Sequence, residues 1–181
     1  MKQIANMGKV IVRIKLTNYV EEQMKKLKLL KGQPHTVETE ALVDTGATRL
    51  CLQSRVIRAL GLRKEGNVVS RTTNGRRKRS VYQAARLDLM GRHGNFDVVE
   101  VDDDVPNLLG QVPLEVLDFV VDPKHQKLIA NPEHGGIQMT EEYCMSVEDM
   151  EDARTIERAK TAHGKKPRIP WAQAKKELGL D

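Results

Sequence analysis

Residues 41–48 read Ala41-Leu42-Val43-Asp44-Thr45-Gly46-Ala47-Thr48. They continue Val37-Glu38-Thr39-Glu40, where apolar and polar residues alternate before an apolar end. That is the pattern of a strand entering an interior. The strand delivers one carboxylate, Asp44, and turns at once on Thr45 and Gly46. Carboxylates are seldom buried without a partner or a task. Glycine lets the backbone pass close to the carboxylate, and amide donors with the Thr45 hydroxyl can fix its orientation. The competing reading is an Asp-Thr-Gly surface turn between strands, because D-x-G turns are common.

Working outward, the flanking signals are also strand-like. Val10, Val12, Ile14 and Leu16 alternate with Arg13, Lys15 and Thr17, a half-buried strand. Tyr19–Lys31 reads as a short helix or a solvated loop. Arg49–Leu62 reads as a strand followed by one or two helical turns, closed by Gly61. Asn74-Gly75 is a hairpin-turn dipeptide. Val81–Met90 and Phe96–Val101 are strands split by the Gly91–Gly94 turn. Pro113–Leu117 is a short helix with proline at its first position, and Lys127–Ala130 is a last short strand. Beyond residues 132–136 the texture becomes helical. Ser146 opens a capping-box-like start to a charged helix reaching Ala162, and Pro170–Leu178 forms a second.

The whole chain has 181 residues, with 39% hydrophobic and only 3% aromatic side chains. A core must therefore be built from Val, Leu, Ile and Ala. No apolar run approaches the roughly 18 residues of a membrane span, and the N-terminal residues lack a signal-peptide apolar block. Cys51 and Cys144 lie far apart, which argues against a disulfide framework or a structural zinc site. The expected setting is a reducing cytosol. The formal net charge is +5, weak evidence for nucleic acid by itself. Its distribution says more: Arg71, Arg76, Arg77, Lys78 and Arg79 crowd into nine residues.

Ala41–Thr48, followed by Arg49–Leu62, resembles the active-site region of retroviral-type (retropepsin-like) aspartic proteases. A second match lies at Leu108-Leu109-Gly110, ahead of the short helix at Pro113–Leu117. The resemblance covers about residues 9–134. It implies a mainly β fold: a closed β-barrel subunit with a short helix, here carrying an α-helical C-terminal tail. The expected domains are residues 1–136 and 137–181. It also implies an aspartic endopeptidase that hydrolyses peptide bonds with a pair of facing carboxylates. This sequence holds one Asp-Thr-Gly, half of such a pair, so the expected species is a two-fold homodimer with Asp44 of each copy at the axis. Thr45 would cross-link the two active-site loops, and Gly46 would present its amide to the carboxylates. Substrate contacts would fall to Ala47, to Asn74 and Gly75 near the tip of a flap at Ser70–Tyr82, and to Leu109 and Gly110. No metal or organic cofactor is implied.

The flap so placed is very basic. It reads as a surface for acidic peptides or nucleic acid, or, more blandly, as a solvated mobile loop. Aromatic interleaving for single-strand binding is absent, with only Tyr82 close, which argues against nucleic acid. His35, His93, His125, His134 and His163 show no metal-ligand spacing. Asp102-Asp103-Asp104 reads as a cap on a strand end before a cation site. Cys51 reads as a small core residue, and Ser54 has no nucleophile-elbow context.

The tail from Met145 to Asp181 resembles the C-terminal part of bacterial antitoxins of the RelB and Phd/YefM type. Such a tail would dock a small toxin-type or other protein partner through Trp171, Ala174 and Leu178, an i, i+3, i+7 anchor set. Equally, it could pack on its own domain or across the dimer. The alternative function is then a catalytically weak or inactive protease-like binding module that uses this tail.

Overall fold

The computed structural model describes residues 9–72, 75–140, 152, 154–158, 161 and 170–177. The chain divides into two compact units, Met1–Thr140 and Glu141–Asp181. Residues 137–139 go with the first unit for a physical reason. Ile137 N–H donates to His134 O, Gln138 Nε2 to Val116 O, and Met139 N–H to the Asp118 carboxylate.

The first unit is mainly β. Its strands are β1 (Ile11–Asn18), β2 (Thr36–Val43), β3 (Leu50–Gln53), β4 (Lys64–Thr72), β5 (Gly75–Leu89), β6 (Arg92–Val101), β7 (Leu108–Leu109), β8 (Phe119–Asp122) and β9 (Lys127–Ala130). Three short helices interrupt them: α1 (Tyr19–Lys26), α2 (Ser54–Ala59) and α3 (Gln111–Val116). Seven strands form one sheet in the order β1-β2-β7-β3-β6-β5-β4, and β1 also pairs with β5. The sheet therefore returns on itself as a ring of six strands, with β4 attached to β5. β8 and β9 make a separate hairpin.

Period-two burial explains the ring. Ile14 and Leu16 of β1, Leu50 and Leu52 of β3, Leu87 of β5 and Val98 of β6 are almost wholly buried, and most alternate with neighbours that are less buried. As composition requires, the core is aliphatic, with Phe96 and Phe119 its only Phe residues.

Tyr19–Lys26 is a helix rather than a loop. Asn18 starts it by accepting the Glu21 N–H through Oδ1 at 3.1 Å, a cap worth about 1 kcal/mol. The same buried side chain donates to Leu60 O at 3.0 Å and so ties α1 to the end of α2.

β4 and β5 pair from Lys64↔Tyr82 to Thr72↔Gly75. The basic run thus lies in regular strand, not in a solvated loop. Charged residues hold the strand because the ladder supplies their backbone bonds and their side chains reach water. Gly75 opens β5 opposite Thr72, one position later than an Asn-Gly turn centre would put it. Asn74 itself lies outside the described residues.

In the second unit, residues 152, 154–158 and 161 are helical, and α4 spans Trp171–Glu177. The expected helix start at Ser146 and the anchor Leu178 lie outside the described residues.

Candidate active site

β7 contributes only two residues, yet it positions the site. It lies between β2, to which it is parallel, and β3, to which it is antiparallel. Leu108 pairs with both Leu42 and Cys51, and Leu109 with both Val43 and Leu50. The buried Asn107 fixes this register from one residue upstream. Its Oδ1 accepts the Gln53 N–H at 2.9 Å, while its Nδ2 donates to Glu40 O at 2.9 Å and Thr39 Oγ1 at 3.2 Å.

Asp44 leaves the end of β2 inside this frame. Its N–H donates to Leu109 O at 3.0 Å, and its carbonyl accepts the Ala47 N–H at 3.0 Å, closing the turn. The carboxylate Oδ1 accepts the Gly46 N–H at 2.9 Å. A Cβ on Gly46 would sit 3.1 Å from that oxygen, so glycine allows the turn to close tightly over the acid. Asp44 is half-buried, and Thr45 and Gly46 are exposed.

A second strand-to-helix segment braces the turn. Gln111 N–H donates to Ala47 O at 2.7 Å, and Val112 N–H to Thr48 O at 3.0 Å. Between them Gly110 passes so close that a Cβ would stand 2.4 Å from Arg49 O and 2.6 Å from Ala47 O. Leu109 has no exposed surface. Leu109 and Gly110, expected at the substrate, are not among the residues that line the open cleft. Leu109 is packed in the core and Gly110 against the acid turn, and Leu108 is the β7 residue that lines the open cleft.

That cleft has a volume of about 980 Å³. Asp44, Ala47 and Cys51 line it, together with residues of the β4–β5 hairpin and of the 101–105 loop. The hairpin is tied down where Arg79 meets Asp102 at 3.0 Å. Below it, Tyr82 Oη donates to Glu100 Oε2 at 3.2 Å and Ser54 Oγ to Glu100 Oε1 at 2.7 Å. Burial, together with the Glu100 carboxylate, pushes the Tyr82 phenol up.

Cys51 is not a core residue. It is half-buried in the cleft, and burial pushes its thiol up to about 11 against the pull of Arg79, with the Asp44 charge adding to the rise. A thiol in that state is a weak nucleophile.

Residues 30–112 match the family model of an aspartyl protease. Over that span the chain is aspartyl protease-like. The matched span runs from ahead of β2, through the acid turn and the basic hairpin, into α3. It supports a peptidase, a hydrolase, as the kind of activity. No curated protein matches the chain.

Several groups beside this aspartyl protease-like site carry structure instead. Asp103 Oδ1 accepts the Arg55 N–H at 2.9 Å and so caps α2, and Gln53 Nε2 holds the same loop through Val105 O at 2.7 Å. The acidic triplet thus serves a helix start and an arginine, not a strand end. His35, His125 and His134 each lie against a carboxylate, and no group of three or more His, Cys, Asp or Glu is arranged for a metal among the described residues. No described helix is long and apolar enough to cross a membrane. In the second unit Trp171 is 68% exposed and Ala174 half-buried. Sequence reasoning missed Asn107 and the pairing of Arg79 with Asp102. Arg79 was visible only as one charge among five, and no local pattern marks Asn107.

Proposed function

We propose that the chain is an aspartic endopeptidase whose acid pair is assembled from two copies, Asp44 from each. The observation that carries this reading is the Asp44 carboxylate held by the Gly46 N–H at 2.9 Å at the edge of a cleft under a hairpin. The exposure of Thr45 and Gly46 leaves the turn open to a second copy.

Two carboxylates a few Å apart do not both ionise, so the pair holds one proton between them. The ionised member takes a proton from a water lying between the acids. The resulting hydroxide attacks the scissile carbonyl carbon while the protonated member donates to the carbonyl oxygen. Collapse of the tetrahedral adduct passes a proton to the leaving amine. The two groups titrate as one unit. Thr45 cross-links the two turns, and Ala47, Gly75 and Asn74 meet the substrate on either side of the scissile bond. The working compartment is a reducing cytoplasm, as two cysteines far apart in sequence suggest.

Replacing Asp44 with Asn tests the chemistry. The variant is expected to lose peptide-library cleavage by about a thousandfold or more while keeping its fold. Undiminished cleavage would remove Asp44 from the mechanism.

A second reading draws on Trp171, an aromatic left 68% exposed on α4. In it the chain is a protease-like binding module whose antitoxin-like tail docks a toxin-type or other protein partner through Trp171, Ala174 and Leu178. Pull-down with the full chain and with residues 1–140 separates the two. Equal partner recovery rules the tail out.

A further inference from the structure

The basic hairpin has two faces, and strand alternation assigns each cation to one of them. Opposite partners Val68↔Arg79 and Ser70↔Arg77 share one face, while Val69↔Lys78 and Arg71↔Arg76 share the other. Arg77 and Arg79 line the cleft that contains Asp44, whereas Arg76 and Lys78 do not. Val69 and Arg71, from the other face, also line it.

Of the three hairpin arginines that line the cleft, Arg77 and Arg79 share a face and differ in what they meet. Arg79 is neutralised by Asp102 at 3.0 Å and its side chain is only 16% exposed. Arg77 is exposed and has no carboxylate partner among the described residues. Two other acids line the cleft, Asp44 and Asp104, and neither is paired with it. A guanidinium presents its donors as a planar fork that fits a carboxylate. Arg49 also borders the cleft, but it is already 3.7 Å from Asp97.

We propose that Arg77 makes this cleft selective for peptides bearing an Asp or Glu side chain close to the bond presented to Asp44. The inference rests on the endopeptidase reading in taking a peptide as the occupant, and it adds the chemistry of that peptide. RNA is the competing polyanion. The hairpin offers it no stacking surface, since Tyr82 is engaged with Glu100 and no described residue of the hairpin above it is aromatic.

Binding and cleavage are measured separately. The full chain carrying Asp44→Asn is titrated against fluorescent peptides that differ only in Glu or Gln at one position. The Glu peptide should bind about fivefold more tightly, as a partly exposed ion pair allows. Arg77→Glu in the same background should abolish that preference and favour a Lys peptide instead. Lys78→Glu makes the same change of net charge on the opposite face and should keep it. Equal binding of the Glu and Gln peptides, equal loss in both reversals, or no peptide binding at all would each overturn the proposal. So would tighter binding of a single-stranded oligouridylate that is itself lost with Arg77→Glu. Cleavage by the unsubstituted chain is scored alongside. Acid-selective binding without cleavage sinks the endopeptidase and leaves the selectivity, and cleavage indifferent to charge does the reverse.

Discussion

Gly110 shows how little freedom the acid turn has. Three backbone atoms, Arg49 O, Ala47 O and Arg49 N, lie 2.4, 2.6 and 2.8 Å from where its Cβ would be. Backbone cannot yield as a flexible side chain can, so Gly110→Ala must push α3 away from residues 47–49. Overpacking of this kind costs about 1–3 kcal/mol. The displaced segment includes the Gln111 and Val112 donors that brace the turn, so the acid should lose its alignment too. We expect Gly110→Ala to lower the urea midpoint and to reduce peptide cleavage further than the lost stability explains, because misplacement of a reacting group by about 1 Å can cost a hundredfold. Gly46→Ala should be milder in stability, since its nearest neighbour is a side-chain oxygen at 3.1 Å. Cleavage at wild-type rate by a folded Gly110→Ala protein would refute the bracing role.

The turn and the strands beside it were legible because each is carried by local chemistry, an apolar run and a tight turn; the short helix after Leu-Leu-Gly was legible in place but not in bounds, since it starts at Gln111 and Pro113 is its third residue. β4 was not legible, because Lys64-Glu65-Gly66-Asn67 has no apolar face and its strand state comes from pairing with β5. β8 was hidden in the apolar run after the short helix. The ring closure depends on β1 meeting β5 some seventy residues later, which no local pattern encodes. Neither does the network that holds the end of the first unit. Asp118, nearly buried, lies 3.2 Å from Arg92, 2.9 Å from His134 Nδ1, and accepts the Met139 N–H at 3.1 Å. Arg92 reaches on to Leu117 O and Gly136 O and lies 5.0 Å above the Phe119 ring. Burial alone would raise the Asp118 carboxyl; the Met139 amide and His134 outweigh it and hold it below the usual range. A depressed folded-state value gives stability that is complete above the unfolded value of about 3.9 and is lost as pH falls through the folded one. Asp118→Asn should therefore be less stable at pH 7, and the gap to the parent should narrow below about pH 4. Urea melts of both proteins in an Asp44→Asn background avoid self-digestion. A gap independent of pH would mean that Asp118 acts by shape and not by charge.

At the scale of the whole molecule, the decisive quantity is how many acids a working site contains. One chain supplies one Asp-Thr-Gly, and the exposed Thr45 and Gly46 are the surface a second copy would cover. If the site needs Asp44 from both copies, activity depends on the square of the fraction of intact chains. Mixing equal amounts of the parent and Asp44→Asn chains, with time to exchange, should leave about a quarter of the dimers with two acids. Cleavage should fall to about a quarter of that of the parent at the same total concentration. It should also fall faster than linearly on dilution, as dimers dissociate. A site complete within one chain behaves differently: the equal mixture keeps half the activity, and dilution changes it in proportion. The mixture experiment therefore counts the acids in the working site without a structure of the assembly, and a linear mixing curve would refute the shared site even if Asp44 proved essential.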